Sequence, residues 1–194
     1  MTTPELEAFI ELYIAYFNRA ADALGLSFWA TAFQKNGFSL SDIADHFFTQ
    51  PETQALYADV SDGDFVQAVY NNVLGRAADL LGFNFWVDQL TSGNVTKSAF
   101  ILELLAGARA STGDPADVAF IETKTDIGLY FAVIQGQNNI DEARTVMNSF
   151  DGTPSSVTDA IAASDAAYLD ALQSSDALLM PVVGAIESPF VDVA

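Results

Sequence analysis

Two stretches of the chain join charge to aromatic rings at a fixed spacing. They are RAADALGLSFW at 19–29 and RAADLLGFNFW at 76–86, 57 residues apart. Each sets Arg, then Asp three residues on, then Gly three residues further, and closes on Phe-Trp. Asp22 and Asp79 are candidate calcium ligands, and Trp29 and Trp86 are candidate platforms for sugar rings. The same residues also have a structural reading. Arg19 and Arg76 suit the negative end of a helix dipole, and Asp22 and Asp79 suit the start of the next helix, where a carboxylate accepts backbone N–H groups. Arg and Asp can also pair across the turn. Gly25 and Gly82 allow a positive φ or a close helix approach. Trp at an apolar helical spacing is core material, so Trp29 and Trp86 are expected to be buried, with Trp29→Ala costing about 3–5 kcal/mol. The structural reading uses every residue of the motif. The ligand reading lacks the dense oxygen spacing of a calcium loop.

Other chemistry is sparse. His46 is the single histidine, and it follows Asp45 in a helical context. It reads as a semi-exposed helical residue rather than a general base. No GxSxG, HExxH, P-loop or GxGxxG is present, and there is no cysteine for a thiolate nucleophile, a disulfide or a zinc site. With 26 acidic residues, paired carboxylates arise by chance and do not single out a glycosidase. DVSDGD at 59–64 resembles the opening of a calcium loop, which makes Asp59, Asp62 and Asp64 weak metal candidates. The second half of such a loop is missing, and a solvated turn is the plainer reading. No catalytic residue is assigned and the chain is not expected to be an enzyme. No cofactor is certain, and calcium is the single candidate.

Composition narrows the partners. The 194 residues carry 7 basic and 26 acidic side chains, a net charge of −19. Nucleic acid is excluded as a partner on that balance, because binding needs Lys and Arg on phosphates. An anionic surface would repel the chain unless divalent cations bridge the two. No stretch is long and apolar enough for a transmembrane helix, and MTTPELEAF lacks the basic and apolar regions of a classical signal peptide. An exported protein of this kind would use a signal elsewhere, such as an uncleaved C-terminal one.

The elements that must position the motif are helices. Leu6, Phe9, Ile10, Tyr13, Ile14 and Phe17 follow i, i+3, i+4, i+7 spacing and predict a first helix over about 4–20. A second starts near Leu26, a third at Ser39 or Ser41, and a short piece follows Pro51. After the 59–64 turn, Phe65, Val66, Val69, Tyr70, Val73 and Leu74 repeat the first face, and helices near 83–92 and 96–110 follow. Tyr13 aligns with Tyr70, Phe33 with Leu90, and Ile43 with Phe100. The fold class is all-α, a compact multi-helix domain. Residues 1–110 form a tandem helical repeat of period 57, with units of about 4–60 and 61–110. Residues 111–175 form a C-terminal helical part of the same domain, with helices over about 115–135, 140–150 and 155–175, and 176–194 form a tail, linker or signal.

At the doubled RxxDxxGxxFW element the chain resembles a bacterial family, domain of unknown function 4214. The likeness runs over about 12–150, with NVTKSAFILELLAG at 94–107 similar to the family's continuation and 124–143 similar to a segment that often follows such repeats. The family often has Pro before the Asp, where Ala21 and Ala78 stand here. Such domains occur in large, acidic, cysteine-poor proteins that Gram-negative bacteria secrete, often by type I secretion with calcium-binding repeats downstream. The arrangement is also similar to the N-terminal cell-attachment regions of some S-layer proteins, and more distantly to phycobilisome linker domains. The resemblance implies an extracellular cell-surface anchoring module, attached to lipopolysaccharide or surface glycan with calcium assisting. The alternative it leaves open is an assembly scaffold for other protein subunits, with homo-oligomers among its forms.

Overall fold

The computed structural model describes residues 3–111 and 113–174. The expected tail at 176–194 lies outside the described residues. Every element among them is helical: α1 (Thr3–Phe17), α2 (Ala23–Asn36), α3 (Leu40–Phe48), α4 (Pro51–Tyr57), α5 (Asp62–Leu74), α6 (Leu80–Thr91), α7 (Lys97–Ala108) and α8 (Pro115–Leu129). A π-helical turn, Tyr130–Ile134, extends α8, and α9 (Ile140–Asn148) and α10 (Pro154–Gln173) follow. The all-α class is therefore as the periodicity indicated. None of these helices is long and apolar enough to cross a membrane.

Capping residues set the helix boundaries, and they move several of the expected ones. α1 stops at Phe17 rather than near 20 because Asn18 takes a left-handed φ of 50°. α2 and α6 start three residues earlier than expected, immediately after the caps Asp22 and Asp79. α3 begins behind a capping box made by Ser39 and Asp42. The sequence 59–64 is only half a turn: Ser61 caps α5, and Asp62 and Asp64 already lie in its first helical turn. α8 gives way to the π-helical turn at Tyr130, and Gly136 at φ 65° then turns the chain.

The chain divides into two compact units. One comprises residues 3–14, 18–37 and 122–174, and the other residues 15–17 and 38–121. These boundaries fall within the first repeat unit and after the second.

The first unit buries Phe9, Ile10 and Tyr13 of α1, Leu26 of α2, Phe131, and Val146 and Met147 of α9. Phe9 meets Phe33 edge-on at 5.5 Å. Gly128 lets α8 approach α1, since a Cβ there would come within 2.6 Å of Ile10 Cγ2. α10 packs on α9 and on the π-helical turn, and it buries Ala160, Ser164 and Ala167. That small-residue spacing is how so weakly apolar a helix docks. A polar network ties it down. The Ser164 hydroxyl donates to Gln135 Oε1 (2.6 Å), Gln137 Nε2 donates to the Ser164 carbonyl (3.0 Å), and Tyr130 and Gln135 both donate to Asp165 (2.7 Å each). Burial, then the bond to Asp165, pushes the Tyr130 hydroxyl up to about 12.

The second unit is built on stacked rings. Phe47 packs against Tyr16 (6.1 Å) and Phe17 (4.6 Å), and Phe65 packs against Tyr57 (5.2 Å) and Phe100 (5.5 Å). The buried Tyr16 hydroxyl donates to the Ser98 carbonyl at 2.6 Å, and the Ser98 hydroxyl donates to Asp45 at 2.6 Å. Burial, then the Asp45 charge, raises the Tyr16 hydroxyl far above its ordinary value. No fully buried polar side-chain atom among the described residues lacks a hydrogen-bond partner.

Lys124 in the first unit is buried, and desolvation pushes its ammonium down to about 8 from 10.5. Between those values the unfolded chain holds a proton that the folded chain has released, so stability rises with pH across that window. Denaturant midpoints from pH 8 to 10.5 are expected to climb in the wild type, and the climb is expected to flatten in Lys124→Met.

Candidate functional site

The doubled motif folds into the same corner twice. A left-handed residue ends the incoming helix: Asn18 at φ 50° in the first copy and Gly75 at φ 67° in the second, again 57 residues apart. The arginine follows, just past the helix end rather than in its last turn. Its guanidinium lies over the ring of the tyrosine six residues back, at 5.2 Å for Arg19 on Tyr13 and 5.6 Å for Arg76 on Tyr70. It also donates to the next carbonyl, Ala20 O at 2.9 Å and Ala77 O at 3.2 Å. The aspartate then caps the outgoing helix. Asp22 Oδ1 accepts the Gly25 N–H at 2.7 Å, and Asp79 Oδ1 accepts those of Gly82 (2.9 Å) and Leu81 (3.1 Å). The Gly82 N–H is the first reason that the Asp79 carboxyl lies below its ordinary value.

The glycine is needed for space, since neither Gly25 nor Gly82 has a positive φ. A Cβ on Gly82 would stand 2.8 Å from the Tyr70 hydroxyl, and one on Gly25 would collide with the Tyr13 hydroxyl. The tyrosine thus carries the arginine on its ring and fills the glycine's side-chain place with its hydroxyl.

The expected Arg–Asp pair forms in one copy. Arg19 meets Asp22 at 3.3 Å, whereas Arg76 turns to Asp117 of α8 with two bonds of 2.6 and 2.7 Å. The expectation of buried tryptophans does not hold: Trp29 and Trp86 are half-buried. Trp86 meets Phe100 edge-on at 4.9 Å and Phe85 at 4.9 Å. The full cavity cost expected for a buried tryptophan does not apply to either ring.

The acidic candidates at 59–64 serve local structure. Asp62 pairs with Lys97 at 3.5 Å and accepts from Thr91, Asp64 accepts from the Ser61 hydroxyl at 2.7 Å, and Asp59 is exposed. Among the described residues no group of three His, Cys, Asp or Glu side chains is placed to hold a metal ion. His46 is exposed, beside the Phe38 ring at 5.5 Å.

Sequence reading passed over the outer face of α2 and α6. Leu24 is 43% and Phe28 64% exposed, and the equivalent Leu81 and Phe85 are 82% and 54% exposed. Positions i and i+4 share one helical face, so each copy holds a Leu–Phe pair toward solvent. The signal was in the repeat, because Leu24 and Leu81 are identical, as are Phe28 and Phe85. Periodicity treats all apolar residues alike and does not separate a solvent-facing pair from the core.

Residues 44–110 match the model of a family described as Domain of unknown function (DUF4214). The matched stretch contains α4–α7 and the whole second corner. No curated protein matches the chain. No solved structure matches it.

If the tyrosine hydroxyl is what forbids a side chain at the glycine, Gly82→Ala is expected to destabilise the fold by about 1–3 kcal/mol. Adding Tyr70→Phe is then expected to recover part of that loss. A double-mutant cycle from denaturant melts measures it, and strict additivity would refute the contact.

Proposed function

We propose that the chain is a non-catalytic interaction module whose two corners mount Leu–Phe pairs for partner proteins. The observation that carries this reading is the matched exposure of Leu24 and Phe28 with Leu81 and Phe85. The motif's Arg, Asp and Tyr side chains and its Gly N–H groups are engaged within the fold, which leaves the apolar pairs on offer. Residues 80–87 carry no charge at all, in a chain with 26 acids, and depletion of charge marks the core of a protein interface. The resemblance to secreted, surface-associated bacterial proteins fits assembly outside a Gram-negative cell.

Attachment to lipopolysaccharide is a second reading, carried by the resemblance, and the net charge of −19 opposes it unless a cation bridges the two. A protein this acidic meets an anionic glycan through a bridging cation such as calcium. Retention on lipopolysaccharide that is present with calcium and lost with chelator would support it.

The first reading is tested by placing a photo-crosslinking phenylalanine analogue at Phe28 or Phe85 in the native cells. Discrete protein adducts at either position are the expected result. Adducts to no protein would overturn it.

A further inference from the structure

Asn36 and Gly37 stand at the end of α2, and both are exposed. Asn36 is the last helical residue. Gly37 caps the helix at φ 76°, with its N–H donated to the Ala32 carbonyl. The Asn36 carboxamide is in no hydrogen bond among the described residues. A Cβ on Gly37 would meet nothing within 4 Å, so the space beside its backbone is open.

The other asparagines differ in at least one of these respects. Asn72 is buried and donates to the Ala15 carbonyl, Asn94 donates to the Gln89 side chain, and Asn139 caps α9. Asn84 is exposed but lies inside α6, ahead of Phe85. Asn148 is the nearest match, exposed and the last residue of α9, but Ser149 follows it. Asn36 is the one asparagine in the chain with glycine after it.

We propose that Asn36 is a site of spontaneous deamidation, which converts the end of α2 to aspartate and isoaspartate as the folded protein ages. The Gly37 backbone nitrogen, once its proton has gone to hydroxide, attacks the Asn36 side-chain carbonyl carbon. The new C–N bond closes a succinimide and ammonia leaves. Water then opens the ring at one carbonyl or the other, giving isoaspartate or aspartate with no change of oxidation state. A side chain on the following residue would crowd that ring, and glycine has none. The Gly37 N–H must first leave Ala32, and the end of a helix is where such opening costs least. Either product sets a carboxylate at the negative end of the α2 dipole, where Lys35 is the basic residue of the last turn. Isoaspartate also adds a methylene to the main chain ahead of Gly37, which takes its N–H out of register with Ala32. The result is a looser last turn, beginning at Phe33, whose ring meets Phe9.

The test holds the full folded chain in mildly alkaline buffer and digests samples at intervals for mass spectrometry. Asn36 is expected to convert several-fold faster than Asn84 or Asn148, with isoaspartate as the main product. Conversion at this position should be absent in Asn36→Gln. It should slow several-fold in the double variant Asn36→Gly, Gly37→Asn, which keeps at 37 a residue that tolerates the left-handed cap. Equal rates at Asn36 and Asn148 would overturn the proposal, as would conversion of Asn36 that needs denaturant. In the converted chain, amide hydrogen exchange is expected to speed over residues 33–38 and to stay unchanged over α9. Unchanged exchange over 33–38 would overturn the loosening of α2.

Discussion

The contact on which both corners depend is one carboxylate oxygen accepting one glycine N–H. Asp22 on Gly25 and Asp79 on Gly82 close the first turn of the outgoing helix and fix the direction in which it leaves. The rest of the motif follows from that bond. The glycine sits where the incoming helix's tyrosine hydroxyl needs room, so no side chain is tolerated. The tyrosine ring in turn supports the guanidinium of the arginine that bridges the bend. A residue of left-handed φ starts the bend, and Asn and Gly are the two residue types best suited to it. Three side chains, one left-handed residue and a bare Cα are thus committed to geometry in each copy, which accounts for the repetition of the motif.

From this shared frame the copies diverge in burial. In the first, alanines at 20, 21 and 23 allow the 137–143 segment to lie directly on the backbone. In the second, leucine stands in place of Ala23, and both leucines of the turn face solvent. The arginine records the same divergence: Arg19 meets the aspartate of its own corner, and Arg76 reaches Asp117 of α8. One copy has become an internal joint of its unit, and the other an open face of its own.

Much of this was legible in the sequence. Apolar residues at helical spacing gave the class, the 57-residue offset pointed to the doubled corner, Asp22 and Asp79 were readable as caps from their type and position, and the cap of α3 was narrowed to Ser39 or Ser41, of which Ser39 serves. Three features were not legible, each for a physical reason. The end of α1 depended on Asn18 adopting a left-handed φ, which a helical periodicity does not register. The half-burial of Trp29 and Trp86 was not readable because an apolar spacing specifies the face without the depth. The burial of Lys124 runs against the solvation of its charge, so its residue type pointed the wrong way. The candidate site shows the same limit, because the charged residues that drew attention serve the fold and the exposed apolar pair beside them was passed over.

The central claim is that the carboxylate–glycine bond forms the corner in both copies. It is tested most directly by following the amide shifts of Gly25 and Gly82 by nuclear magnetic resonance as the protein is acidified. The account expects both amides to move upfield as their carboxylates are protonated, with the Gly82 midpoint below the ordinary aspartate value of 3.8. It expects each response to disappear when that copy's aspartate is replaced by asparagine. Glycine amides that stay still while the carboxylates titrate would contradict it.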